Sequence, residues 1–376
     1  MVAGLIAAGG IFLGIEYGGG GTPPTHPRTG APTSGAAERR QISRVAARDI
    51  IVATGLGARS VVWAMNGLAL YLSRDGGAHW FAATPPGVYD VVARIGDIVF
   101  VDREHAWAAA SDLTGARPPR HMAIYRTTDG GRTWRPAAPP GCYYRCGGGF
   151  LSFLDRRKGF SLASVWPRGR LFETRDGGAA WTLVAPAPFI GPIRFVTLRD
   201  GWGVRSDGGA LFRTTDGGRI WRRVRLARPA TATIGVPTFF GPRDGVVPVW
   251  LRDPRTHAKR VVAYVTRNGG RSWSARPVPA AADLRGESWG FAASIPFSAP
   301  TVRDWVLFPG PSLYATHDGG RTWTIVHPRF APTAPHVSDP SFSSPSSGWA
   351  IFTVGAGSAL VRTTDGGRDW KAVAPR

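Results

Sequence analysis

The residues of this sequence with the most obvious capacity for chemistry are aspartates in a repeated Asp-Gly-Gly-x-x-Trp motif. The motif occurs seven times, and successive copies lie between 40 and 54 residues apart. Catalytic carboxylates must be unique groups that converge on one reacting atom, and a regularly repeated aspartate does not meet that requirement. The position is filled by Asp75, Asp129, Asp176, Asp216, Asn268, Asp318 and Asp365.

The composition of the motif predicts a hairpin turn. An aspartate side chain accepts hydrogen bonds from backbone N–H groups of its own turn, and paired glycines supply the positive φ angles that reverse a chain. Asn268 accepts the same hydrogen bonds without a charge, which favours a structural role for the whole set. A tryptophan on the returning strand would bury a large apolar area against the neighbouring hairpin. These tryptophans are Trp80, Trp134, Trp181, Trp221, Trp273, Trp323 and Trp370.

A second recurring element precedes each hairpin and completes a repeat unit. It is a short apolar strand, a turn and a Gly-Trp pair or near equivalent, clearest from Phe195 to Trp202 and from Phe342 to Trp349. Each unit therefore has four strands, A to D, and the mean period near 48 residues suits a propeller blade. The sequence predicts an all-β fold, a single seven-bladed β-propeller with four-stranded blades over residues 49–376.

These repeats resemble the BNR or Asp-box repeat family. The paired phrases Gly-Trp and Thr-Thr-Asp-Gly-Gly-Arg-x-Trp are most similar to its photosystem II assembly factor-like branch, and more distantly to sortilin-type, sialidase-type and xyloglucanase-type propellers. The resemblance covers about residues 49 to 376. It implies that the Asp-box hairpins lie at the blade periphery, away from the central channel. It is specific for the fold and poorly specific for function.

Two segments, residues 1–17 and 18–48, precede the predicted propeller. Residues 2 to 15 are uncharged and mostly apolar, a length that fits the apolar part of a signal segment, although a basic start and an Ala-x-Ala site are missing. An ordinary buried strand is the alternative. Residues 18–48 are rich in Gly, Pro and Thr, which predicts a flexible tether. This layout predicts an extracytoplasmic protein, either secreted or anchored to a membrane by its N-terminal segment.

The enzymes of the resembling family need carboxylates that are scarce here. A sialidase needs a Tyr–Glu pair, and of the five glutamates only Glu287 falls outside the N-terminal segments and the Asp-box side. A xyloglucanase needs two carboxylates across the scissile bond. Loops that could face a ligand contain Asp90, Asp112, Asp207, Asp253 and Asp283. We therefore predict no catalytic residue, and keep a glycoside hydrolase as the enzyme alternative.

The net charge indicates which partners the protein could bind, and the two cysteines indicate whether it has a disulfide or a metal site. A formal net charge of +21 favours an anionic partner, or is spread evenly over solvated loops. Nucleic acid is disfavoured because export would remove it from reach. Cys142 and Cys146 predict a short disulfide in an exported protein, with two unpaired thiols as the alternative. No further ligands at metal-binding spacing accompany them, so neither a metal site nor a cofactor is predicted.

Candidate partner-binding residues lie on the side opposite the Asp-box hairpins. Tyrosine, tryptophan and arginine are the residue types enriched at binding hot spots, and long connections on this side contain them. They are Tyr143, Tyr144, Arg145, Arg117, Arg120, Trp166, Arg168, Arg170 and Arg255. The alternative is a solvated basic rim with one structural disulfide. The sequence thus predicts a monomeric, non-catalytic scaffold for a protein partner or an anionic envelope component. A carbohydrate-active propeller that binds or cleaves glycans is the alternative.

Overall fold

The structure is a computed structural model, and its regular elements are all β-strands. It describes residues 51–56, 61–66, 69–86, 93–112, 122–137, 139, 142, 146–226, 232–252, 255, 259–279, 295–329, 335–354 and 357–375. The predicted anchor and tether, residues 1–17 and 18–48, lie outside this described part. The described strands form seven antiparallel sheets, each from consecutive strands, which confirms the predicted seven-bladed β-propeller.

The strands of each blade follow the predicted order A to D. The A strands are β1 (Ile51–Leu56), β5 (Ala93–Phe100), β9 (Gly147–Phe153), β13 (Ile193–Phe195), β17 (Ala232–Ile234) with β18 (Thr238–Phe239), β22 (Phe297–Ser298) and β26 (His336–Phe342). The B strands are β2 (Val62–Asn66), β6 (Ala106–Asp112), β10 (Gly159–Val165), β14 (Gly201–Val204), β19 (Gly245–Arg252), β23 (Trp305–Leu307) and β27 (Gly348–Val354). The A position of blade 5 is split because β17 and β18 both pair with β19.

The C and D strands complete the blades. The C strands are β3 (Ala69–Ser73), β7 (Met122–Thr127), β11 (Arg168–Thr174), β15 (Leu211–Thr214), β20 (Lys259–Thr266), β24 (Leu313–Thr316) and β28 (Gly357–Thr363). The D strands are β4 (Phe81–Ala82), β8 (Arg135–Pro136), β12 (Thr182–Ala187), β16 (Arg222–Val224), β21 (Ser274–Pro277), β25 (Thr324–Val326) and β29 (Lys371–Val373). Several A strands of neighbouring blades contact one another, β5 with β9, β9 with β13, β22 with β26 and β26 with β1, and the last of these contacts closes the ring around a central channel.

The two ends of the blades form two different faces. The turns from A to B and from C to D lie together, because in blades 2 to 7 the first glycine of the Asp-Gly-Gly turn donates its N–H to an A–B carbonyl, as Gly177 does to Arg157 at 2.8 Å. We call this side the turn face. The B–C turns and the starts of the A strands lie at the other end, which we call the loop face.

Glycine–aromatic contacts explain the Gly-Trp element. The first residue of several B strands is a glycine on which the last phenylalanine of the A strand lies, as Phe195 does on Gly201 and Phe342 on Gly348. A Cβ on Gly201 would come within 2.6 Å of the Phe195 ring. The next residue, such as Trp349, is buried against the second glycine of the following blade's Asp-Gly-Gly turn. The motif therefore encodes packing between blades.

Candidate functional site

The Asp-Gly-Gly turns consume the hydrogen-bonding capacity of their carboxylates. In blade 2, an Asp129 oxygen accepts the backbone N–H of Thr133 at 2.9 Å and the hydroxyl of Thr127 at 2.7 Å. The Thr127 hydroxyl oxygen in turn accepts the N–H of Gly131 at 2.8 Å. The glycines Gly130 and Gly131 have φ values of 73° and 90°, as the sequence predicts for this turn.

The same arrangement recurs in every blade. A buried hydroxyl opens each turn and accepts the N–H of the second glycine at 2.7 to 2.9 Å. Sequence reasoning did not assign this role, although the hydroxyl is visible two residues before each aspartate. These residues are Ser73, Thr127, Thr174, Thr214, Thr266, Thr316 and Thr363.

Asn268 reproduces the turn without a carboxylate. Its Oδ1 accepts the N–H of Ser272 at 3.0 Å and the hydroxyl of Thr266 at 3.0 Å. Its Nδ2 donates to the Ser272 hydroxyl at 2.8 Å. The acceptor oxygen, and not the charge, is thus the feature shared by the seven turns.

These hydrogen bonds stabilise the ionised carboxylates. Hydrogen bonds from His79 lower the pKa of Asp75, and those from Thr322 lower the pKa of Asp318. Partial burial acts in the opposite direction on Asp129, but the Thr133 and Thr127 hydrogen bonds prevail and lower its pKa to about 2. A carboxyl group that stays ionised is a poor general acid at neutral pH. The seven turns lie on separate blades and do not bring their carboxylates together.

The loop carboxylates considered for a glycosidase do not form a pair among the described residues. Asp90, Asp253 and Asp283 lie outside the described ranges. Asp207 is engaged by the Arg205 guanidinium at 2.7 Å. Asp112 is the last residue of β6, on another blade. In the described ranges, moreover, no group of three His, Cys, Asp or Glu side chains has the arrangement of a metal site.

The loop face of blade 3 presents the clearest candidate for recognition. Trp166 and Pro167, joined by a cis peptide bond, form the turn between β10 and β11. The Trp166 side chain is 87% exposed, and Arg168 beside it is also exposed. The turn is shorter than the predicted loop of residues 166–170, because Arg168 and Arg170 already belong to β11.

The other predicted partner-binding residues are only partly placed. Arg255 is exposed in the B–C connection of blade 5. Arg117 and Arg120, together with Tyr143, Tyr144 and Arg145, lie outside the described residues. Cys142 and Cys146 form a disulfide between blades 2 and 3, with Cα atoms 5.0 Å apart. Both cysteines are buried in one cluster with Trp107 and Ile124.

The central channel contains charged groups that sequence reasoning missed. Asp97 of β5 accepts the backbone N–H of Leu151 at 2.8 Å, and Arg194 of β13 interacts electrostatically with the Asp97 carboxylate. Desolvation by the surrounding protein outweighs both attractions and raises the pKa of Asp97 to about 6. Arg194 alternates with the buried Ile193 and Phe195, so strand periodicity was the available signal that it faces the channel.

No helix among the described residues is long and apolar enough to span a bilayer. No protein-family model matches the chain, and no curated protein matches it.

Solved structures resemble this chain at low sequence identity. YCF48 from Cyanidioschyzon merolae superposes with a TM-score of 0.57 at 15% identity, over 84% of this chain and 96% of that chain. A structure of YCF48 bound to D1 peptide gives a TM-score of 0.47 at 20% identity, over 75% and 82% of the two chains. The GH74 enzyme of Niastella koreensis gives 0.36 at 14% identity, over 86% of this chain and 56% of that chain. The similarity to the Cyanidioschyzon merolae protein shows the fold.

Proposed function

We propose that this chain is a non-catalytic propeller of the BNR or Asp-box type, exported or tethered to a membrane, that binds a protein partner through its loop face. The observation that carries the proposal is the Trp166 turn. An indole that is 87% exposed at the end of a regular hairpin, beside the exposed cation of Arg168, has the chemistry of a recognition site. The ring of blades holds this turn on rigid strands.

The hydrogen bonds of the turn face favour a scaffold function over an enzymatic one. Each repeated carboxylate or amide is committed to its own turn by two or more hydrogen bonds, as Asp129 is to Thr127 and Thr133. Asn268 performs the same role without a charge. A repeated feature of this kind builds blades and leaves recognition to the loop face.

Site-specific photo-crosslinking tests the proposal. A photoreactive amino acid replaces Arg168 on the loop face, and in the matched control it replaces Arg222, an exposed arginine of β16 on the outer edge of blade 4. After irradiation of the native membrane fraction, we expect a discrete protein adduct from position 168 and none from position 222. Equal or absent labelling at both positions contradicts the proposal.

The alternative is a carbohydrate-active propeller. The exposed Trp166 indole also offers a flat apolar face on which a sugar ring could stack. Incubation of the purified protein with a panel of β-glucans and sialosides, followed by a reducing-end assay, separates the two functions. We expect no products, and their release would show that the scaffold proposal is wrong.

A further inference from the structure

We infer that the Trp166 turn docks on an anionic lipid surface and thereby sets the orientation of the propeller against a membrane. The inference rests on the proposed tethering of the chain and goes beyond it, because a tether alone leaves the orientation free. Three observations carry it: the isolated exposure of Trp166, the charge around it, and the point at which the chain enters the ring.

The first observation is the isolation of the indole. Among the described residues, Trp166 is the only aromatic side chain in the set of large exposed apolar groups, and the others are aliphatic. Its neighbour Val165 is partly buried, and Pro167 and Arg168 are exposed without being large apolar groups. An indole at a hairpin tip suits the bilayer interface, where tryptophan rings lie among lipid headgroups.

The second observation is the charge of the surrounding surface. Arg168 and Arg170 follow the indole on β11. The β10–β11 hairpin has one acidic residue, Glu173, and it lies near the turn face. There it pairs with Arg175 at 2.6 Å, so no carboxylate of this hairpin faces Arg168 and Arg170. The connection that follows blade 3, residues 188–192, has no charged residue. On blade 4 the loop acid Asp207 is paired with Arg205. The described surface of the blade 3 hairpin and of its blade 4 neighbour is therefore cationic, which is complementary to anionic headgroups.

The third observation is the direction of the chain at its entry into the ring. Ile51, the first residue of β1, pairs with Asn66 at the end of β2, so β1 begins at the loop face. Residues 1–50 are therefore attached on the same side as Trp166. Residues 2–15 are uncharged and mostly apolar, as the apolar part of a signal segment would be.

The tether by itself does not fix the orientation. The tether predicted from the sequence, residues 18–48, would have a root-mean-square span of about 30 Å as a flexible chain. Trp166 then acts as a second contact that turns the loop face toward the membrane. A protein partner bound to that face would consequently lie in or at the bilayer.

A local probe in the full-length chain tests the inference without interference from the N-terminal segment. Trp166→Cys is labelled with the environment-sensitive fluorophore NBD, and Ile220→Cys serves as the control because Ile220 is also exposed, at 57%, on the turn face. The native cysteines are joined in a disulfide and do not compete for the label. The probes are protein-free vesicles of phosphatidylcholine, with or without phosphatidylglycerol.

We expect the emission of the label at position 166 to shift to shorter wavelength only on the vesicles that contain phosphatidylglycerol. The label at position 220 should not respond. Arg168→Glu in the labelled protein should remove most of the shift, Arg222→Glu should leave it intact, and raising the salt concentration should reduce it.

Two outcomes overturn the inference. If neither label responds to anionic vesicles, or both respond alike, the Trp166 turn is not a lipid contact. If the label at position 166 responds only to membranes that contain native proteins, the turn binds a protein directly. A response only to membranes with native proteins would contradict lipid docking and leave the scaffold function intact. If the crosslinking experiment gives no position-specific protein adduct, the scaffold function is wrong. The vesicle experiment would still test lipid docking independently.

Discussion

At the scale of single residues, the hydroxyl that opens each Asp-Gly-Gly turn connects the hairpin to its aspartate. Thr127 is buried, donates to Asp129 and accepts the N–H of Gly131. Thr127→Val keeps the shape but leaves that buried N–H unsatisfied, so we expect a loss of about 1–3 kcal/mol in the free energy of unfolding. Thr128→Val, at the exposed neighbouring position, is the control and should change little. Chemical denaturation measures both, and equal stabilities would contradict the assigned role.

The raised pKa of the Asp97 carboxyl group should make the stability of the protein depend on pH. Its pKa in the folded protein is raised to about 6, from 3.8 in the unfolded chain, so folding favours its protonated form. Stability contributed by this group is therefore present at low pH and is lost as the pH rises from about 4 through 6. Asp97→Asn should raise the melting temperature at pH 8 relative to the parent, and that advantage should be clearly smaller at pH 5.

The control for this titration is Asp207→Asn. The pKa of Asp207 is lowered, because its hydrogen bonds with Arg205 and Gly209 outweigh desolvation. Its carboxylate is therefore ionised in both the folded and unfolded states between pH 5 and pH 8. The stability difference between parent and Asp207→Asn should be constant in that window. A constant difference for Asp97→Asn as well would show that Asp97 is not desolvated.

At the scale of elements, the glycine that opens a B strand decides how closely the A strand packs. Gly201 has an ordinary φ angle, so a substitution there acts through space alone, and a new Cβ meets the Phe195 ring at 2.6 Å. We expect Gly201→Ala to lower stability by about 1–3 kcal/mol through overpacking. In β5, a Cβ added to Gly96 would meet only the carbonyl oxygen of Ala109, at 3.8 Å, so Gly96→Ala should be tolerated. Thermal denaturation of the two variants provides the comparison.

The element pattern was largely predictable from the sequence, whereas the channel was not. The seven Asp-Gly-Gly turns and the Gly-Trp pairs fixed the number and order of strands because each motif has one local geometry. Asp97 and Arg194 belong to no motif, and their proximity depends on how blades 2 and 4 close around the axis. Of the partner-binding set, the sequence correctly located Trp166 on a B–C turn, but it could not show how exposed that indole is.

At the scale of the whole molecule, the described strands close the ring without exchange between the first and last blades. Every sheet is made of consecutive strands, so closure depends on side chains such as Trp349, which packs on Gly77 and lies edge-on to Trp80 with centroids 6.0 Å apart. Trp107 makes the equivalent contact with Gly178 between blades 2 and 3. We expect Trp349→Ala and Trp107→Ala each to cost about 3–5 kcal/mol. A much smaller loss for Trp349→Ala in denaturant titrations would indicate an open ring.

The central claim is that the two faces have different roles. The hairpins of the turn face stabilise the ring, and the loop face binds the partner. A quantitative pull-down from the native membrane fraction tests it most directly. The loop-face variant carries Arg117→Glu, Arg120→Glu and Arg168→Glu. The control makes the same change in charge at exposed arginines on the D strands or directly after them. Its substitutions are Arg135→Glu, Arg222→Glu and Arg225→Glu. The account predicts that the control retains the partners captured by the parent and that the loop-face variant loses them. Retention by the loop-face variant, or equal loss by both, would contradict the account.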